Sequence, residues 1–358
     1  MDDYKQKLTD LLTETARQNA SDLHLAVGRK PTLRIDGVLI PLEHEPIMTP
    51  EMAEGIINEL LIVEGQREKL TKERQIDLAY SFEDKARFRV NIYYQRGYLA
   101  AALRLIPSRI RTMEELNLPP ILHDFTNLSQ GFVLMVGPAG HGKSTTLAAI
   151  LDEINHGQSD HIITIEDPVE YLFTQDKCII SQREVGSDTT GFHSALRTVL
   201  RQDPDVIMIG EMRDAVSIST AMTAAETGHL VFATLHTNSA SQTIDRIIDS
   251  FPAEQQGQIS SQLAATLVAI ISQRLLPRTE GGRVPALEIM IVNPAIRNLI
   301  RERKVYQIDL VIETSLQEGM MTLNRSLANL VKNKEITFDD AALYSLNPAE
   351  LQILLEKM

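Results

Sequence analysis

Cys178 is the only cysteine in 358 residues. It cannot form an internal disulfide or a four-cysteine zinc site, and a reducing compartment fits best. No apolar run reaches the ~18 residues that a membrane-crossing helix requires. The opening Met1-Asp2-Asp3 lacks the cationic start of a secretory leader, so none is expected. Positive charge is scarce: 35 Lys and Arg against 48 Asp and Glu give a formal charge of −13. Nucleic acid is therefore not expected as the main partner, because neutralising phosphates needs a basic surface, though a local basic groove stays open. Internal repeats and low-complexity tracts are also missing. What remains is a soluble globular composition, 43% apolar, long enough for two domains with a core each.

Residues 4–19 fit an amphipathic helix with Leu8, Leu11, Leu12 and Thr15 on one face. Asp22 to Val27 and Thr32 to Leu42 read as strands, the second broken by the turn pair Asp36-Gly37. Thr49 and Pro50 mark a helix start, as cap and first helical residue. Three strands follow: Ile76–Phe82, Arg87–Gln95 and Tyr98–Ile106. Residues 1–106 thus form a small α+β domain, and the proline-rich stretch 107–130 is expected as a connector. If Arg96-Gly97 makes a two-residue hairpin loop, Arg89 faces Arg104 across the sheet, with Arg87 on the same side. Like charges so placed repel by up to about 1 kcal/mol. Either an anion lies between them or both splay into solvent.

Residues 131–358 alternate strand and helix, as a parallel sheet demands. The apolar run Phe132–Val136 leads into Gly137-Pro138-Ala139-Gly140-His141-Gly142-Lys143-Ser144, and a helix begins at Thr145. Glycines let successive backbone N–H groups converge on an anion at the helix start. Lys143 is suited to β and γ phosphates, and Ser144 to Mg²⁺. The stretch from Gly137 to Thr145 is therefore assigned to a nucleoside triphosphate. Strands His161–Ile165, Val206–Ile209 and Leu230–Thr234 follow, the last preceded by a helix from Asp214 to Gly228. The class is α/β, a RecA-like P-loop ATPase core, with ligands at the carboxyl ends of its strands.

Polar clusters stand at those strand ends: Glu166-Asp167-Pro168-Val169-Glu170, Gly210-Glu211-Met212-Arg213-Asp214, and the pair His229 and His236. Hydrolysis of a γ-phosphate needs a positioned water and cations against the developing charge. Glu211 is the candidate for the water. Gly210 occupies the place where a Mg²⁺-side aspartate usually stands, so magnesium leans on Ser144, the phosphates and water, with Glu170 as a possible helper. Plainer roles stay open: Glu166 and Asp167 as caps of a turn, Glu170 as a surface carboxylate, His236 as a core histidine.

Together these clusters resemble the secretion ATPase superfamily, and closely its type IV pilus retraction branch. GPAGHGKSTT is similar to the family's phosphate loop, with Ala139 and His141 in place of Thr and Ser. TIEDPVEYLF (Thr164–Phe173), IMIGEMRD (Ile207–Asp214) and TGHLVFATLHTNSA (Thr227–Ala240) resemble its Asp box, Walker B motif and His box. ASDLHL (Ala20–Leu25), ARFRVN (Ala86–Asn91) and the retraction signature AIRNLIRE (Ala295–Glu302) also match. The resemblance implies a homohexameric ring of ATPases in the cytoplasm, beneath an inner-membrane platform protein of the pilin machinery. It implies a PAS-like amino-terminal domain whose Arg89 and Arg104 reach nucleotide phosphates. It also implies Glu211 as catalytic glutamate, Glu170 as a second acidic site, and His229 and His236 as His-box residues. Ala139 and His141 are expected to be tolerated, since the loop binds through backbone N–H groups.

Three alternatives bear on this assignment. Extension and type II secretion ATPases typically carry an extra domain and a tetracysteine motif, against which one cysteine and 358 residues tell. A nucleic-acid translocase on the same core is disfavoured by the acidic balance. A non-enzymatic ring subunit is disfavoured by Lys143, Glu211 and the two arginines. Finally, Ile296, Leu299 and Ile300 share a helical face bordered by Arg297, Arg301 and Lys304, which suits either packing or force transmission.

Overall fold

Alternating apolar residues build the amino-terminal sheet. The computed structural model describes residues 4–18, 20–35, 37–82, 86–106 and 109–357. Met1-Asp2-Asp3, Asp36 of the expected turn pair and Pro107 lie outside them. The chain divides into two units, residues 1–109 with 170–172, and the remainder. In the first, α1 (Tyr4–Arg17) precedes β1 (Asp22–Ala26), β2 (Thr32–Ile35) and β3 (Val38–Pro41). Then come α2 (Pro50–Asn58), α3 (Gln66–Glu73), β4 (Gln75–Phe82), β5 (Ala86–Gln95) and β6 (Tyr98–Ile106). Thr49 caps α2 by accepting from the Met52 N–H at 3.3 Å, with Pro50 first in the helix. The sheet order is β3-β2-β1-β6-β5-β4, antiparallel at every described pairing. One face buries Leu23, Leu33, Leu103, Val90 and Phe88 against Leu8, Leu11 and Leu12 of α1.

The β5–β6 hairpin has the expected register: Gln95 pairs with Tyr98 and Arg89 with Arg104. Arg96 and Gly97 both have positive φ, 53° and 87°, as a type I′ turn requires. What relieves Arg104 comes from its other neighbour. Asp22 on β1 is its cross-strand partner, and Arg104 Nε donates to Asp22 Oδ1 at 2.9 Å. Arg34, Asp22, Arg104 and Arg89 thus form one row across four strands, three arginines to one buried carboxylate.

The second unit begins earlier than expected. Residues 110–130 are not a bare connector: Met113, Leu118, Leu122 and Phe125 are buried with helix α4 (Lys143–Gly157), the last two in a 3₁₀ turn, Pro120–Asn127. Apolar residues spaced between the prolines are the physical reason. Its remaining elements are β7 (Gly131–Val136), β8 (His161–Glu166), β9 (Ile179–Glu184), α5 (Phe192–Val199), β10 (Val206–Ile209), α6 (Ala215–Glu226) and β11 (Leu230–Leu235). They are followed by α7 (Ala240–Asp249), α8 (Gln256–Thr266), β12 (Leu267–Pro277), β13 (Arg283–Ile291) and α9 (Pro294–Arg301). Four short helices end the chain: α10 (Ile308–Thr314), α11 (Leu323–Lys332), α12 (Phe338–Tyr344) and α13 (Pro348–Lys357).

The sheet order is β13-β12-β7-β11-β10-β8-β9, parallel except for β13. Strand β7 is buried on both faces, as a central parallel strand must be. Val133 and Met135 face α4, while Phe132, Leu134 and Val136 face the core shared by α5 to α10. Strands β9, β12 and β13 are not foreseen by sequence pattern. Strand β9 carries the polar run Ser181-Gln182-Arg183, and the apolar run into β12 directly continues a helix, so periodicity alone does not separate them.

Candidate active site at the strand ends

Tight backbone geometry creates the phosphate loop. Gly137, Gly140 and Gly142 have φ of 140°, 78° and 80°, a region that disfavours side chains. A Cβ at Gly137 would lie 2.4 Å from the Gln273 carbonyl oxygen, whereas one at Gly140 would meet nothing within 4 Å. The loop is thus pressed against β12 at its start and open at its crest. No side chain caps α4, whose N-cap is Gly142. Its first-turn N–H groups and the helix dipole suit an anion.

Lys143, buried, donates to the carbonyls of Gly137 at 2.8 Å and Pro138 at 2.9 Å. Its Nζ lies 3.4 Å from His236 Nδ1. An ammonium only donates, so Nδ1 is the acceptor side of that contact and the ring's Nε2 is left to face away from Lys143. That Nε2 faces Glu211 Oε1 at 3.3 Å, and Glu211 Oε2 takes a 2.8 Å hydrogen bond from Arg213. Partial burial works to raise the Glu211 carboxyl, but Arg213, His236 and Lys143 together hold it below the usual range. Glu211 is therefore ionised at neutral pH. The sheet order explains the meeting. Strand β11 lies between β7 and β10, so His236 at its end stands between Lys143 and Glu211. The Met212 N–H donates to Thr234 on β11 at 3.1 Å, fixing the turn that carries Glu211.

Other expected residues fall elsewhere. His229 precedes β11, at the opposite end from His236, roughly 20 Å away along the strand. Its Nδ1 lies 2.9 Å from the Ala224 carbonyl and 3.2 Å from Thr227 Oγ1, so in its own chain it serves the turn between α6 and β11. Glu166 is buried and accepts from Thr164 Oγ1 at 2.6 Å, while Asp167 is exposed. Glu170, exposed, groups with the first unit, as do Arg89 and Arg104. A side chain at Gly210 would press on β8, its Cβ 3.1 Å from the Ile165 carbonyl oxygen. Ser144, half-buried in the first turn of α4, offers a hydroxyl of the kind magnesium takes. Pro138 and Thr145 are half-buried and Ala139 exposed.

His141 is anchored away from the crest. Its Nδ1 accepts the Leu275 N–H at 2.9 Å, and its ring meets Tyr344 of α12 edge-on at 6.0 Å. Burial, then the charges of Arg274, Lys143 and Arg283, push its pKa down and keep it neutral. Four residues escaped the sequence reading: Thr146, Ser272, Gln273 and Arg274. The only signal for the last three is a polar triplet breaking an apolar run.

A strand order in which β12, β7, β11, β10 and β8 adjoin, with a phosphate loop after the central strand, defines a RecA-like P-loop ATPase. The profile of the family described as "Type II/IV secretion system protein" matches residues 3–281, and the chain belongs to that family. It is 47% identical over 339 residues to the "Type IV pilus retractation ATPase PilT" of Pseudomonas aeruginosa, covering 93% of this chain and 96% of that one. The "Type IV pilus ATPase PilU" of the same organism is 38% identical over 352 residues, covering 98% and 91%. A crystal structure of the pilus retraction motor PilT with bound ADP superposes with a TM-score of 0.89 at 46% identity, covering 98% and 99%.

Proposed function

We propose that this ATPase is the motor of type IV pilus retraction. It acts in the cytoplasm as a homohexamer docked on an inner-membrane platform protein, and so reaches the pilin machinery indirectly. Support comes from the near full-length similarity to a retraction ATPase, rather than to one domain of a larger protein. Among the described residues no helix is long and apolar enough to cross a membrane, which suits peripheral attachment.

The observation that carries the chemical reading is the run Lys143–His236–Glu211–Arg213. The loop from Gly137 to Thr145, through its backbone N–H groups (Pro138 has none), and the Lys143 ammonium bind the β and γ phosphates. Glu211, kept ionised, orients and deprotonates the attacking water. His236 sits between the two and relays the state of one to the other. Magnesium would be held by Ser144, with phosphates and water filling its other positions, as that ion prefers. No cluster of three or more His, Cys, Asp or Glu among the described residues is arranged as a metal cage. Glu170 acts as a second acidic site, and Arg89 and Arg104 supply positive charge from a neighbouring subunit. His229 keeps its turn-closing place.

The deciding experiment pairs two variants. Lys143→Ala is expected to lose nucleotide binding, while Glu211→Ala binds ATP and fails to turn it over. Near wild-type hydrolysis by Glu211→Ala would move the water to another group, Glu170 first. In cells, either variant should extend pili that no longer retract.

A further inference from the structure

Strand β12 runs parallel to β7 with Ser272 opposite Val136, so the next residues lie beside the phosphate loop. Side chains alternate along a strand. Gln273 turns to the α4 side: its Oε1 accepts from Thr146 Oγ1 at 2.8 Å and its Nε2 donates to the His141 carbonyl at 2.7 Å. Ser272 and Arg274 turn to the α7 side and meet Asn238, two residues beyond His236. Ser272 Oγ donates to the Asn238 carbonyl at 3.0 Å, and an Arg274 terminal nitrogen donates to that carbonyl at 3.0 Å and to Asn238 Oδ1 at 3.1 Å. All three side chains are buried, with relative exposures of 1%, 2% and 5%. Burying three successive polar residues is costly unless each is bonded, so packing alone does not explain them.

We propose that Ser272-Gln273-Arg274 is a positioning element that holds the phosphate loop from one face of the sheet and the His236 loop from the other. It sets the spacing between Lys143 and His236. Gln273 acts through the loop backbone on nucleotide binding. Arg274 acts through Asn238 on His236 and hence on turnover. The inference rests on the reading that Lys143 binds phosphate and that His236 with Glu211 serves hydrolysis.

The two halves separate in kinetics. In the purified full chain, Gln273→Met keeps the volume and removes both hydrogen bonds. Its Kd for ADP should rise about tenfold, with kcat changed less. Arg274→Met should lower kcat about tenfold or more, with the ADP Kd within about twofold of wild type. A merely structural role would lower the melting temperature of both without this split. If Gln273→Met fails to fold, Thr146→Val takes its place, removing one of its bonds. If Arg274→Met fails to fold, Asn238→Ala does the same for Arg274. Unchanged ADP binding in the first pair, unchanged kcat in the second, or equal losses of both quantities in both pairs would overturn the proposal. Lys143→Ala is measured alongside. Intact binding there would sink the site reading itself, whereas lost binding with a silent Gln273→Met sinks the positioning element alone.

Discussion

Arg104 donates to Asp22, a carboxylate only 11% exposed, so removing its guanidinium leaves that carboxylate with Arg34 at 4.0 Å as its nearest ion pair. Arg89 has Arg104 and Ala79 as cross-strand neighbours and is exposed. The two substitutions should therefore differ. Arg89→Ala is expected to melt as wild type while losing about 10³-fold in turnover, the usual effect of a lost arginine finger. Arg104→Ala should lose turnover too, and about 1 kcal/mol of stability, since the arginine itself is 68% exposed. ATPase assays with thermal melts distinguish the two, and unchanged turnover in Arg89→Ala would remove the finger role. A second buried carboxyl, Glu288 on β13, accepts the Ala240 N–H, and burial pushes its pKa up to about 7. A raised folded pKa contributes stability that is present below about 4.5 and lost as pH rises through about 7. Glu288→Gln should therefore melt higher than wild type at pH 8, by up to about 3 kcal/mol, with the gap closing near pH 4. Parallel melting curves across that range would refute the assignment.

At the scale of the element, α9 buries two of the three residues of its apolar stripe completely. Asn293 caps it by accepting the Ile296 N–H at 2.9 Å, and Ile296 and Ile300 are fully buried in the main core. Its expected basic border is partly used: Arg297 donates to the Ala264 carbonyl of α8, and Lys304 pairs with Glu302. Leu299 is only half-buried. Ile300→Ser is expected to cost about 3 kcal/mol or more by emptying a core position. Leu299→Ser should cost about 1–2 kcal/mol and leave ring assembly and ATPase largely intact while stopping pilus retraction. Dissociation of the Leu299 variant to monomers would assign the helix to structure alone. The hairpins teach a related lesson. Alternation and an Arg-Gly turn made β5–β6 legible to the residue, because its register is set locally. Strand β12 continues directly from helix α8 with no turn residue between them, and only its neighbours in the sheet decide its form.

For the whole molecule, the ring reading makes one prediction that no single chain can satisfy. Mixing Arg89→Ala with Lys143→Ala subunits should restore part of the ATPase activity, because one supplies the arginine and the other the phosphate loop. No recovery, with mixed rings demonstrated by size exclusion, would place the arginine and its loop in the same subunit.

The sequence by itself determined the parts whose geometry is short-ranged. The glycines and lysine of the phosphate loop, the caps at Thr49 and Asp214, the Arg89–Arg104 pairing and the apolar strands all follow from contacts within a few residues. Only the tertiary structure decided which strand ends meet. Parallel strands pair across long and variable excursions of chain, so nothing local announces that β11 enters between β7 and β10, or that β12 closes on β7 from residues more than a hundred positions away. That order brings His236 between Lys143 and Glu211 and sets Gln273 and Arg274 behind the two loops. These placements depend on burying two sheet faces at once, a constraint that belongs to the packed chain and to no segment of it.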